Sequence, residues 1–180
     1  MRTLLDGLTI EEFERLPDAL ALNHELVDGE LVDVSGNTLG HNLLRGLLVS
    51  LLMLYVDEHK LGRVSGEQDY DFDGNAHGPD VTFFGLDKVK LCNGKLRVQR
   101  FVPDLAIEIA SHSDTFEKLI GKAHRYRKCG TKEVWIFSID SREAFVYSAN
   151  RRMILDENGV FESGLIPGFS IRIGDLFDRL

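Results

Sequence analysis

The stretch that most constrains this chain is residues 102–110, Val-Pro-Asp-Leu-Ala-Ile-Glu-Ile-Ala. Leu105, Ile107 and Ile109 alternate with Ala106, Glu108 and Ala110, a period of two that specifies a strand with one wholly apolar face. The other face carries Glu108 between two alanines. Burying a lone carboxylate costs on the order of several kcal/mol, so Glu108 must meet a cation, a metal or the water of a cleft. The sequence then turns helical. Ser113 or Asp114 is placed to cap a helix running to about Cys129, with Asp114 and Glu117 at capping-box spacing and Phe116, Leu119, Ile120, Ala123 and Tyr126 on the buried side. Lys118, Lys122 and Tyr126 recur four apart, which keeps Lys122 at the edge of the core. Gly130 ends the helix, and residues 132–139 form a second strong strand. Strand, helix and strand in this order predict a right-handed crossover and a partly parallel sheet.

The flanking segments fit around that unit. Thr9 and Glu12 form a capping box for a short helix that Pro17 ends, and Asp28-Gly29 makes a tight turn in a hairpin over residues 24–33, with Glu25 and Glu30 on its limbs. Leu43, Leu44, Leu47, Leu48, Leu51, Leu52 and Tyr55 mark a long amphipathic helix between Gly40 and Lys60, capped by Asn37 or Thr38 and with His41 in its first turn. Residues 62–72 read as one extended segment bearing Glu67. The turn Asp73-Gly74-Asn75 follows, and Gly78-Pro79 then delivers Asp80 to the start of the next strand. Residues 85–99 read as a loop or weak hairpin. Short strands and a small terminal helix at Leu176 and Phe177 close the chain, giving one domain over residues 1–180.

Charge narrows the function. A net charge of -8 argues against a general coat for nucleic acid, yet it is unevenly spread: nine acids face the single Arg15 between Asp6 and Asp33, whereas residues 88–100 and 118–132 carry Lys and Arg with no acid. Those two basic stretches predict a polyanion groove if they share a side. Cys92 and Cys129 have no metal-ligand spacing and are too few for a disulfide framework, the first residues lack a signal peptide's pattern, and the apolar run of residues 43–56 is interrupted by Arg45 and short for a bilayer. The expectation is a cytoplasmic protein with no membrane segment.

Three residues carry the candidate chemistry. Asp80 and Glu108, on neighbouring strands, are hard oxygen donors suited to Mg²⁺ or Mn²⁺, and Lys122 on the following helix can orient water or stabilise a phosphorane-like transition state. Glu67 is a further ligand or water partner, and Glu25 and His41 are further contributors. Spacing alone leaves other chemistry open. A Cys/His hydrolase would need Cys92 or Cys129 beside one of six histidines, and the chain has no phosphate-loop, His-Glu-x-x-His or Gly-x-Ser-x-Gly motif.

Taken in order, His24-Glu-Leu-Val-Asp-Gly-Glu30, His41, Gly78-Pro-Asp-Val81, Pro103-Asp-Leu-Ala-Ile-Glu-Ile109 with Ser111 and Ser113-Asp114, Lys122, Tyr126, Gly130 and Glu133-Val-Trp-Ile136 resemble the restriction-endonuclease family often called Uma-two, within the PD-(D/E)XK nuclease superfamily. The resemblance spans about residues 9–178. It implies a restriction-endonuclease-like α/β fold, a mixed central sheet flanked by helices with an N-terminal hairpin, and Asp80 and Glu108 as the metal-binding acidic pair. It also implies DNA phosphodiester hydrolysis, with a homodimer able to cut two strands. The superfamily usually places lysine two residues after the second acid, where this chain has Ala110, and Lys122 is the family-like replacement. The alternatives are an inactive nuclease-like binding or regulatory module and a hydrolase acting on RNA or another phosphodiester.

Overall fold

A computed structural model describes residues 7–111 and 114–180. In chain order the elements are α1 (Ile10–Glu14), α2 (Asp18–Ala21), β1 (His24–Val27), β2 (Glu30–Asp33), α3 (Leu39–Glu58), β3 (Gly62–Gly66), β4 (Asp69–Asp71), β5 (Ala76–His77) and β6 (Val81–Gly85). They continue with α4 (Leu86–Val89), β7 (Val98–Gln99), β8 (Leu105–Ala110), α5 (Phe116–Lys128), β9 (Glu133–Ser138), β10 (Glu143–Ser148), β11 (Arg152–Leu155), β12 (Val160–Glu162), β13 (Ser170–Arg172) and α6 (Ile173–Phe177).

The alternating stretch lies inside a six-stranded sheet of order β11-β10-β9-β8-β6-β3, whose neighbours are antiparallel except for the parallel pair β8 and β9. Its period of two is read out as two cores. Leu105, Ile107 and Ile109 join Leu44, Leu48, Leu52 and Val56 of α3, with Trp135 and Phe137, in one cluster that Phe161, Ile166, Leu176 and Phe177 close over. On the other face, Ala106, Val134 and Ile136 lie under Leu119, Ala123 and Tyr126 of α5, together with Tyr70 and Phe72. Each fully buried leucine contributes about 1.5–3 kcal/mol, and a one-residue slip of β8 would drive Leu105, Ile107 and Ile109 against α5, where Ala106 fits, and bury Glu108 in the larger core.

The hairpin belongs to a second sheet of order β2-β1-β5-β4-β7. Asp28 and Gly29 both take positive φ, 50° and 86°, which the twist of a two-residue turn demands. Asn75 Oδ1 accepts from Asp28 N at 2.6 Å and ties this turn to the β4–β5 turn.

Several local readings are revised by the structure. Residues 62–72 are not one strand: Glu67 takes φ 49°, breaking the run so that β3 pairs with β6 and β4 enters the second sheet. Residues 85–99 hold the one-turn helix α4 and the strand β7, which pairs parallel with β4. The cap of α5 is Thr115, whose hydroxyl accepts from Lys118 N at 3.3 Å, because the Asp114 carboxylate is turned back onto Ser111 N and Oγ at 2.9 and 2.7 Å. The alternative cap Ser113 lies outside the described residues. Helix α3 is capped by Thr38 and, at 20 residues, is long and apolar enough by length and composition to cross a bilayer. It spends one face on the central sheet, while Leu39, Leu43 and Leu54 stay exposed.

Candidate metal and phosphodiester site

Two strand pairings assemble the acids. Val81 is paired with Ile107, and both point into the larger core, so the next residues along, Asp80 and Glu108, stand opposite each other on the other face. In the second sheet Leu26 is paired with Ala76, which sets Glu25 opposite His77, and their side chains meet at 2.9 Å through Glu25 Oε2 and His77 Nδ1. Helix α5 then lowers Lys122 between the two sets. Its Nζ lies 3.0 Å from Glu25 Oε1 and 3.7 Å from Glu108 Oε2. All five residues line a cavity of about 610 Å³, together with His41, Glu67, Lys118 and Arg125.

Each carboxylate has a different supply of partners. Asp80 Oδ2 accepts from Ile109 N at 2.7 Å, and Oδ1 faces His41 Nε2 at 3.2 Å and Arg45 at 3.9 Å. Glu25 accepts from Gly78 N at 3.2 Å besides Lys122 and His77. Burial alone would raise its pKa, but the His77 bond and the Lys122 charge overcome this and hold it at about 2. Glu108 is less well served. Burial pushes its carboxyl up to about 8, with the charges of Asp80 and Glu25 adding to the effect, and neither Lys122 nor the 2.6 Å hydrogen bond from Tyr126 Oη reverses it. Lys122 and Tyr126 are correspondingly held protonated, by the surrounding acids in the first case and chiefly by burial in the second.

This imbalance is the test of whether a divalent cation suits the site. Lys122 lies nearer Glu25 than Glu108, and Asp80 has His41 and Arg45 beside it, so Glu108 is the facing acid least supplied with positive charge. Glu108 and Asp80 both line the cavity. Such a pair fits Mg²⁺ or Mn²⁺, which take one or two carboxylates and keep several waters. Among the described residues no group of three or more His, Cys, Asp or Glu side chains gathers in metal-holding geometry.

The other expected residues occupy defined places. His41 is buried and supports Asp80 from the first turn of α3, with its Nδ1 unpartnered among the described residues. Glu67 sits at the rim with its carboxylate on the Arg45 guanidinium. Of the two basic stretches, residues 118–132 supply Lys118, Lys122 and Arg125 to the cavity, whereas residues 88–100 supply none: Lys88 is paired with Asp104, Arg97 with Asp18, and Arg100 with Glu11 and Asp71. The single shared groove expected from both stretches is therefore not formed. Two contributors carried no assigned role in the sequence. Tyr126 was signalled by its fourfold spacing from Lys122, but His77 had no signal, since only the β1–β5 register places it against Glu25.

No curated protein matches the chain. Among solved structures, it is similar to the crystal structure of a "putative nuclease belonging to DUF820" from Anabaena variabilis ATCC 29413, with a TM-score of 0.84 and 22% identity over 96% of this chain and 98% of that one. It also has a slight likeness to the DrdV–DNA complex, with a TM-score of 0.41 and 18% identity over 74% of this chain and 11% of that one. The first comparison shows the same fold, a mixed sheet between helices. The family Uma2, described as "Putative restriction endonuclease", matches residues 10–174, and with that span covered the chain belongs to the Uma2 family.

Proposed function

We propose that the protein is a divalent-metal-dependent endonuclease that hydrolyses DNA phosphodiester bonds at the cavity between β6, β8 and α5. The observation that carries this reading is the convergence of Asp80, Glu108 and Lys122 on one cavity, with Lys122 3.7 Å from Glu108 although it lies on a helix and not on the strand. Asp80 and Glu108 would hold Mg²⁺ or Mn²⁺, which supplies Lewis acidity and a more acidic bound water. Asp80 is fixed for this by Ile109 N and His41. Lys122 spends one N–H on Glu25 and keeps its others for a water or a phosphoryl oxygen. Glu25 and His77 hold that ammonium in place, and Glu67 acts from the rim through Arg45. A homodimer would bring two such sites to two strands, in a cytoplasmic setting.

The experiment is a cleavage screen over single-stranded, double-stranded and branched DNA and over RNA, with Mg²⁺ or Mn²⁺. Cleavage that falls at least about a hundredfold in Asp80→Ala and in Glu108→Ala, with folding intact, is the expected result. Equal activity in wild type and both variants would refute the assignment. One observation favours a second reading, a binding module without turnover: Glu108 is already closed in by Tyr126 and Lys122. Failure of the wild type to bind Mn²⁺ in the presence of nucleic acid would select it.

A further inference from the structure

Helix α5 has two basic flanks, and only one of them faces the acidic cavity. On the other flank, His124 and Arg127 border a second cleft of about 470 Å³, completed by Tyr147, Arg151 and Arg152 from β10, β11 and the turn between them. Among the described residues no carboxylate lines this cleft. Arg152 Nη2 lies 3.5 Å from His124 Nε2, so the guanidinium and the imidazole are held together at one edge of the cleft. Arg127 is fixed by hydrogen bonds from Nη1 to the carbonyls of Thr131 and Lys132, which leave its Nε and Nη2 donors uncommitted among the described residues. In a chain of net charge -8, an acid-free concave cluster of three guanidiniums and an imidazole is a local exception, and guanidinium forks match phosphate oxygens in pairs.

The ridge between the two clefts is also basic. Lys118 and Lys128 are exposed on α5, Arg125 between them is half-buried and paired with Asp28, and Gly121 leaves open space above the helix backbone. A helix with its side chains is about 10–12 Å across, which a strand advancing about 3.4 Å per nucleotide covers in about three nucleotides.

We propose that the His124, Arg127, Arg151 and Arg152 cleft is a second phosphate site for the nucleic-acid strand, which leaves the acidic cavity, crosses α5 over Gly121 and is gripped on the far flank. This rests on the phosphodiester reading above and adds the strand's path to it. The cluster contacts backbone and not bases, so it contributes affinity and positioning without sequence preference.

The test measures binding, so it does not depend on turnover. On an Asp80→Asn/Glu108→Gln background, anisotropy of a labelled oligonucleotide of about 20 nucleotides is followed across salt concentrations, with and without Arg151→Ala/Arg152→Ala. Both arginines are exposed, and Lys90→Ala/Lys95→Ala, also exposed, removes the same charge elsewhere. The expected result is affinity about tenfold weaker and a salt slope lower by about 1 to 2 in the arginine variant only. Unchanged affinity and slope in the arginine variant, with the parent binding, would overturn the strand path while leaving the cavity assignment standing. An equal loss in the lysine control would overturn it too, by showing a general charge effect. A parent that binds neither DNA nor RNA would overturn the phosphodiester reading and this inference together.

Discussion

Two carboxylates contact the same ammonium, and the structure requires their isosteric amides to have opposite effects on stability. Glu25 is held at about 2 against its ordinary value of 4.5, whereas Glu108 is pushed up to about 8. A depressed carboxylate contributes stability that is present above 4.5 and lost as pH falls through about 2. The Glu25 displacement corresponds to about 3 kcal/mol at neutral pH as an upper figure, and to about 2 once the shared Lys122 charge is allowed to relax. A raised carboxyl does the reverse: the folded state takes up a proton that the unfolded state has released, so stability falls as pH rises from 4.5 to about 8. Without divalent cation at pH 8, Glu25→Gln should therefore destabilise by about 2 kcal/mol, leaving the Lys122 charge poorly paired, while Glu108→Gln should stabilise by about 1–3 kcal/mol. The amide keeps an oxygen to accept from Tyr126. Urea unfolding in EDTA at pH 4.5 and pH 8 measures both, and the Glu108→Gln gain should shrink toward zero at the lower pH. Adding Mn²⁺ should raise the melting temperature of the wild type and not of Glu108→Gln. Loss of stability in both variants at pH 8 would refute the reasoning, because it would mean that Glu108 is ionised and is the main partner of Lys122.

Three further outcomes follow from the same geometry. Tyr126→Phe removes the 2.6 Å hydrogen bond to Glu108, so it should cost about 1–2 kcal/mol in denaturant melts and move the acid limb of any metal-dependent rate profile to higher pH. Asp69 is pushed up to about 7, first by burial and then by the charge of Glu25, and its carboxylate has no hydrogen-bond partner among the described residues. Asp69→Asn should therefore gain about 1–3 kcal/mol at pH 8 and almost nothing at pH 4, and a gain independent of pH would count against a buried charge as the cause. Thr115→Ala should cost about 1 kcal/mol of stability through loss of the α5 cap, and Asp114→Ala less; the reverse order in thermal melts would return the cap to Asp114.

The elements with strong periodicity were legible from the chain alone, since β8, α3, α5 and β9 each bury a face that the residue pattern spells out. The capping box at Thr9 and the Asp28-Gly29 turn were equally local, and both are formed as expected. What could not be read was set by long-range register. Gly66 marks a weak point in the run, but it is Glu67, a residue type that seldom takes positive φ, that breaks it and sends β4 into a second sheet. The two-residue strands β5 and β7 are too short to carry a period, yet β5 is the strand that brings His77 to Glu25. For the same reason the basic run of residues 88–100 looked free when most of its charge is neutralised by acids distant in sequence, including Asp104, Asp18 and Glu11.

Placing the cation on α5 instead of at Ala110 changes what the site depends on. A lysine on β8 would be positioned by the same strand that carries Glu108, since residues 106, 108 and 110 share a face. Lys122 instead reaches the acids from a helix, and a long flexible side chain needs a fixed anion to select one rotamer. Glu25 supplies it, and Glu25 is itself fixed by His77 and Gly78 N. The ammonium is thereby positioned by the second sheet, and that sheet's registry at Leu26 and Ala76 becomes a condition for the geometry at Glu108. On the proposed nuclease reading, the hairpin and its partner strands would be the support that lets a helix-borne lysine stand in for a strand-borne one.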